Sequence, residues 1–293
     1  MTKANKFSLL LLATVAVGAA TEVAYATPIN EGSILSDYAI VSVGPNASIM
    51  VNSGPINGAV LLGDGTTTSS SGGGSSAITG GVWDSGTVNG DNLQHIQTPP
   101  TVHVLPASVG TTAFNDALAL STTAAGLSPN QTFTGTVSGA LTINGIANTT
   151  KVVDFASLQN PLITINGNST ENFVFNVSGL FNTNRAMILN GVTASQILWN
   201  FTGTSGHVLQ TSGGDTLDGI FLATDGGSFQ FSSLNLDGQL INTDGHMQFV
   251  SNSKSTFSAP TKSVPEPSTL LLFGAGLAGA ATLRRRRNKA MRA

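Results

Sequence analysis

A chain of 293 residues with a formal net charge of −3 and no cysteine is long enough to bury its own core. It cannot staple that core with disulfides or bind zinc or iron–sulfur clusters through thiolates. The charge is uneven: residues 27–263 carry four basic side chains, Lys151, Arg185, Lys254 and Lys262, against 13 acidic ones, a formal −9 that argues against a nucleic-acid partner.

The chain opens with Lys3 and Lys6, runs through an apolar stretch over residues 7–20 and reaches the small-residue triplet Ala24-Tyr25-Ala26. A basic head, an apolar run too short to span a bilayer comfortably and an A-x-A site describe a signal peptide for signal peptidase. Ala24 and Ala26 mark the cleavage site and Thr27 becomes the mature N-terminus. In the body beyond it, abundant Gly, Ser, Thr and Asn would suggest disorder. Regularly placed Val, Ile, Leu and Phe oppose that and predict folded β structure.

Between residues 37 and 62 the apolar residues come in bursts, 38–43, 49–51 and 59–62. They are divided by Gly44-Pro45-Asn46 and Asn52-Ser53-Gly54-Pro55, which is turn chemistry. Residues 63–76, almost entirely Gly, Ser, Thr and Asp, predict a flexible surface loop. Their three consecutive glycines are followed by no Lys and so make no phosphate loop. Residues 111–125 place Phe114, Ala117, Leu118 and Ala125 at helical spacing, with Gly126 as the stop, which predicts one helix laid along a sheet.

From 131 to 250 short apolar segments alternate with Asn-Gly, Asp-Gly and Gly-Gly dividers, among them Asn144-Gly145, Asn166-Gly167, Asn190-Gly191, Asp218-Gly219 and Asp237-Gly238. Antiparallel hairpins use the same turn residues, so a β-sandwich competes. The spacing of the later dividers instead fits the faces of a solenoid with coils of roughly 20 residues. The expected fold class is all-β, a parallel β-helix with one accompanying α-helix, within a domain over residues 27–258. A linker and tail occupy 259–293, where Val264-Pro265-Glu266-Pro267-Ser268-Thr269 leads into an uncharged stretch over 270–283 and then Arg284, Arg285, Arg286 and Arg287. That stretch predicts a marginal transmembrane helix with its arginines held on the cytoplasmic side.

This tail resembles the PEP-CTERM sorting signal. The resemblance implies that Pro265, Glu266 and Pro267 are recognised by an exosortase-type membrane peptidase and that Arg284 to Arg287 form the membrane stop. It further implies export by an exopolysaccharide-producing Gram-negative bacterium, transient anchoring in the inner membrane, and delivery to the cell surface or extracellular matrix. In the body, Asn172-Phe-Val-Phe-Asn-Val-Ser-Gly179, Ala186-Met-Ile-Leu-Asn-Gly-Val192, Gln196-Ile-Leu-Trp-Asn-Phe201, Leu217-Asp-Gly-Ile-Phe-Leu-Ala223 and Leu236-Asp-Gly-Gln-Leu-Ile241 resemble the choice-of-anchor A family of bacterial surface proteins. The order of elements, a helix before the later coils, is also similar to that of the ice-binding β-helix family.

Catalytic constellations are missing from the sequence. Ser178-Gly179 lies in no G-x-S-x-G elbow. Asp215 with Asp218, or Asp225 with Asp237, are carboxylate pairs that could meet on adjacent coils and serve glycoside hydrolysis, yet each sits beside Gly, where turns take Asp for backbone reasons. His95, His103, His207 and His246 share no metal-site spacing, so no metal and no cofactor are expected. With Trp83 and Trp199 the only tryptophans, platforms for sugar stacking are scarce. The expected function is a non-catalytic surface or matrix protein in adhesion, biofilm or envelope structure, with exopolysaccharide as a candidate partner. The alternative is an ice- or polysaccharide-binding β-helix module.

Overall fold

Gly and Asn recur too often in this chain for long flat strands, and short strands joined at tight corners coil instead. The computed structural model describes residues 29–256 except 33, 53–54, 65, 70–76, 87–100, 204–205, 214–215 and 251–253. The first part of the chain contributes β1 (Ile40–Val43), β2 (Ser48–Val51), β3 (Pro55–Asn57), β4 (Val60–Leu62), β5 (Thr67–Ser69), β6 (Ala77–Ile78), β7 (Val82–Asp84) and β8 (Val102–Val104). Helix α1 (Ala107–Ala125) follows. After it come β9 (Gln131–Asn144), β10 (Thr150–Asn166), β11 (Asn172–Val177), β12 (Phe181–Thr183), β13 (Ile188–Asn190), β14 (Ile197–Phe201), β15 (His207–Thr211), β16 (Thr216–Ala223), β17 (Ser228–Ser232), β18 (Asn235–Thr243), β19 (His246–Val250) and β20 (Lys254–Thr256).

All strand pairings are parallel, and they sort into three faces. Face A stacks the start of β9 and β10, then β11, β14, the end of β16, the end of β18, β1, β4, β7 and β8. Face B runs through the middle of β9 and β10, then β12, β15, β17, β19, β2 and β5. Face C takes the ends of β9 and β10, then β13. The Met187 N–H to Thr216 carbonyl bond joins it to the starts of β16 and β18, followed by β20, β3 and β6. This is the expected parallel β-helix with one helix alongside, but its coils are not stacked in chain order. β1 lies against β18, with Ile40 opposite Leu240, so the N-terminal coils extend the stack beyond the C-terminal ones.

Side chains pointing into the coil form one continuous core. Phe133, Phe155, Phe175, Trp199 and Phe221 run along its axis, and Trp199 is 0% exposed with its centroid 4.3 Å from that of Phe175. Face A is also covered on the outside, which is why β11 and β14 are buried at every position instead of alternating. Ala113, Ala117, Leu120 and Ala124 of α1 pack there on Val41, Leu61, Val174, Leu198, Ile220 and Leu222. The small residues of this stripe let the helix lie close to the sheet. Gly110 sits where a Cβ would strike the Ser85 hydroxyl.

The structure departs from the sequence reading at several elements. Helix α1 begins at Ala107 rather than 111, directly after Pro106, which fixes φ at −57° with no hydrogen-bonding side chain needed. Thr67–Ser69, inside the stretch expected to be loop, is β5, held by pairing with β2. The segments expected as pairs of strands over 131–146 and 151–165 are single bent strands, β9 and β10. Asp218-Gly219 and Asp237-Gly238 are bends within strands β16 and β18, where each passes from face C to face A. Gly238 has φ 141°, and a Cβ there would collide with the Gly219 carbonyl, so the bend repeats only with glycine.

Candidate functional site

With α1 strapped over face A, faces B and C are the open sides of the solenoid. On face B every second residue points outward, and successive coils bring like residues together. Gln210 Nε2 donates to Gln230 Oε1 at 2.9 Å, and Gln230 Nε2 to Gln248 Oε1 at 3.3 Å. Gln248 Nε2 then reaches the Met50 sulfur at 3.5 Å. Partners in this ladder are 20, 18 and 198 residues apart, so no local motif marks it. Beside it stand His246, Ser48 and Thr67 in register. Ser48 Oγ lies 2.7 Å from His246 Nδ1. Burial, and secondarily His207, holds the His246 imidazole below its usual pKa and so neutral at pH 7, suited to share a proton with a hydroxyl. Among the described residues no carboxylate orients this histidine, so the pair lacks the third member a nucleophilic serine requires.

Face C carries a second array at the β9 end. Thr142 lies opposite Thr164, and Asn144, Asn166 and Asn190 form an amide ladder with bonds of 2.8 and 2.7 Å. Farther along the same face Asp218 and Asp237 are in register on adjacent strands. Burial first, and the Asp237 charge second, push the Asp218 pKa up to about 6. Two carboxylates at one strand spacing of about 4.8 Å form a local charge conflict.

Asp225 and Asp244 serve corners. They have φ of 60° and 59°, a left-handed conformation that Asp tolerates, at the A-to-B corners of successive coils. Asp244 Oδ1 accepts the Asn46 N–H of the next coil at 3.2 Å. Asp225 and Asp237, which could have met on adjacent coils, do not: one is at a corner and the other on face C. Asp215 lies outside the described residues, as do His95, the cleavage residues Ala24 and Ala26, the motif Pro265-Glu266-Pro267 and Arg284 to Arg287. Among the described residues, no three His, Asp or Glu side chains gather as a metal site, and no helix is long and apolar enough to cross a membrane. His103 stacks on Trp83 at 4.2 Å. The sequence reading missed both ladders, because a ladder is a property of stacking and each member alone looks like an ordinary polar strand residue.

The solenoid thus leaves two faces open, each carrying an amide ladder. The chain belongs to the family described as "Putative Ice-binding-like adhesive domain", which it matches over residues 4–248. Residues 263–287 match the PEP-CTERM protein-sorting motif, so this is an exported surface protein bearing a signal for processing by an exosortase-type membrane system. Similar solved structures include an ice-binding protein from an Antarctic biological consortium, with TM-score 0.55 and 19% identity over 80% of this chain and 92% of that one. Another is the ice-binding protein of the Antarctic ascomycete Antarctomyces psychrotrophicus, with TM-score 0.54 and 17% identity over 79% and 98%. Ice-binding protein 1 of Shewanella frigidimarina gives TM-score 0.53 and 16% identity over 80% and 98%. At these identities the likeness is one of fold. No curated protein matches the sequence.

Proposed function

We propose that this chain is a non-catalytic adhesive protein of the cell surface or extracellular matrix. In this reading face B is its contact surface, and the exopolysaccharide of the producing bacterium is its partner in biofilm or envelope structure. The observation that carries the reading is the glutamine ladder Gln210, Gln230, Gln248. It holds three amides in one orientation on an open face, and each keeps donor or acceptor capacity for a hydroxyl-rich polymer. The family and the sorting tail support the surface setting. Cosedimentation of the exported protein with purified exopolysaccharide tests it. Replacing the three glutamines with alanine is expected to weaken binding about tenfold, roughly one hydrogen bond's net worth. Equal binding by the variant removes face B from the reading.

A second reading rests on the face C array of Thr142, Thr164, Asn144, Asn166 and Asn190, whose rows repeat at the coil spacing. A regular lattice of hydroxyls and amides of this kind suits an ordered solid such as ice. Thermal hysteresis of the purified protein, lost in Thr142→Lys, would favour it over the polysaccharide reading.

A further inference from the structure

Strand β9 closes one end of the solenoid. It pairs with β10 on one side and, among the described residues, with no strand on the other. Ends of this kind are normally blunted by charge, proline or a covering segment. Over Gln131–Asn144 there is no charged residue and no proline, and most positions are exposed. The inward-pointing Phe133 and Val137 are only partly buried, packed against the core from the β10 side alone.

The strand also reads nearly the same in both directions about Val137. At equal distances on either side stand Thr136 and Ser138, Gly135 and Gly139, Thr134 and Ala140, Phe133 and Leu141, Thr132 and Thr142. Hydroxyl matches hydroxyl, glycine matches glycine and apolar ring matches apolar chain. The register with β10 shifts twice along this strand: β9 carries the extra residue between Phe133 and Thr136, and β10 carries it between Val137 and Gly139. A Cβ added at Gly135 or Gly139 would meet nothing within 4 Å, so both bends are open to an approaching chain. A twofold axis through Val137 lays one β9 antiparallel on another with Gly135 of each copy opposite Gly139 of the other. Phe133 then meets Leu141 of the second copy, and the free backbone groups of the edge find partners. An isologous contact needs this kind of self-complementary patch.

We infer that the protein forms a twofold dimer by antiparallel pairing of β9 with β9 of a second copy, joining two solenoids end to end. Among the described residues the opposite end presents the short strands β5, β6 and β8, none of which matches the 14-residue β9 in length.

The chain has no cysteine, so Val137→Cys places one thiol on the axis. Directly opposed Cα atoms in an antiparallel pair lie about 4.5–5.5 Å apart, within disulfide reach. In the full chain in mild detergent, oxidised Val137→Cys is expected to give a covalent dimer. Thr134→Cys alone is expected to stay uncrosslinked, and Thr134→Cys with Ala140→Cys to link. Crosslinking of Thr134→Cys as readily as of Val137→Cys would overturn the dyad. Sedimentation of the unaltered chain at about 100 μM, a hundredfold above a micromolar dissociation constant, decides independently of thiol reactivity. A dimer is expected, with association weakened at least tenfold in Val137→Lys. A monomer at that concentration, or assemblies larger than a dimer, would overturn the proposal.

Discussion

Asp218 shows how a side chain can be legible as a residue type and illegible in its setting. Next to Gly219 it reads as a turn aspartate. The structure instead puts it inside β16, on a strand face opposite Asp237, where burial and that neighbour raise its pKa to about 6. The folded state thus holds the Asp218 proton more tightly than the unfolded chain, whose Asp titrates near 3.9. The resulting stabilisation is full below about pH 4 and is lost as pH rises through about 6. Asp218→Asn should match the wild-type melting temperature at pH 4 and exceed it at pH 7.5. A difference between the two proteins that stays constant across this range would show that the Asp218 charge does not set it. Asp225 and Asp244 were readable as corner residues because positive φ is a local demand, answered within the residue itself.

At the scale of elements, the alternation of Phe173, Phe175 and Val177 announced which side of β11 faces inward. What it hid was the second layer. Asn176 and Asn200 look like the solvent side of their strands, yet they lie beneath α1, and Asn200 is 0% exposed. Asn200 Nδ2 donates to the Ser121 carbonyl at 3.2 Å and to Asn176 Oδ1 at 2.9 Å, while its Oδ1 accepts the Ser121 hydroxyl at 2.8 Å. Asn176 Nδ2 in turn donates to the Ala124 carbonyl and to Asp154. This ladder adds side-chain donors to the Ser121 and Ala124 carbonyls in the last turns of the helix. Asn200→Ala removes three hydrogen bonds from a buried layer and leaves Asn176 Oδ1 without this donor, while the Ser121 hydroxyl keeps Thr224; it should cost about 3 kcal/mol, measured by urea unfolding. A loss below about 1 kcal/mol, the level expected of an exposed site, would mean that water replaces the amide. No periodicity within either strand signals such a bond, because its partners are 79 and 24 residues away.

For the whole molecule, the solenoid itself was legible from the rhythm of Gly-containing dividers, and the tail from three consecutive elements whose order is chemical. Neither face B nor the end strand could be read that way, since each depends on which coil stacks on which. The sorting reading is tested by replacing Pro265-Glu266-Pro267 with alanines. The variant is expected to be translocated yet to keep its tail, so its mass should exceed that of the processed protein and it should fractionate with membranes. Wild-type mass and location in the variant would show that these three residues do not direct processing.

The junction of β1 with β18 carries a kinetic meaning. The hydrogen bond from the Asn46 N–H to Asp244 spans 198 residues, and strands this distant in sequence meet only after a large loop has closed. Coils from β9 to β17 stack on immediate neighbours and can form in the order they appear. The coils of β1 to β7 were synthesised before them and pair among themselves, but the stack that they complete does not exist until β18 and β19 arrive. High contact order of this kind slows folding. In a chain that crosses a membrane N-terminus first, the earliest segment to emerge is therefore among the last to become structured, and its closing partner is delivered just ahead of the tail.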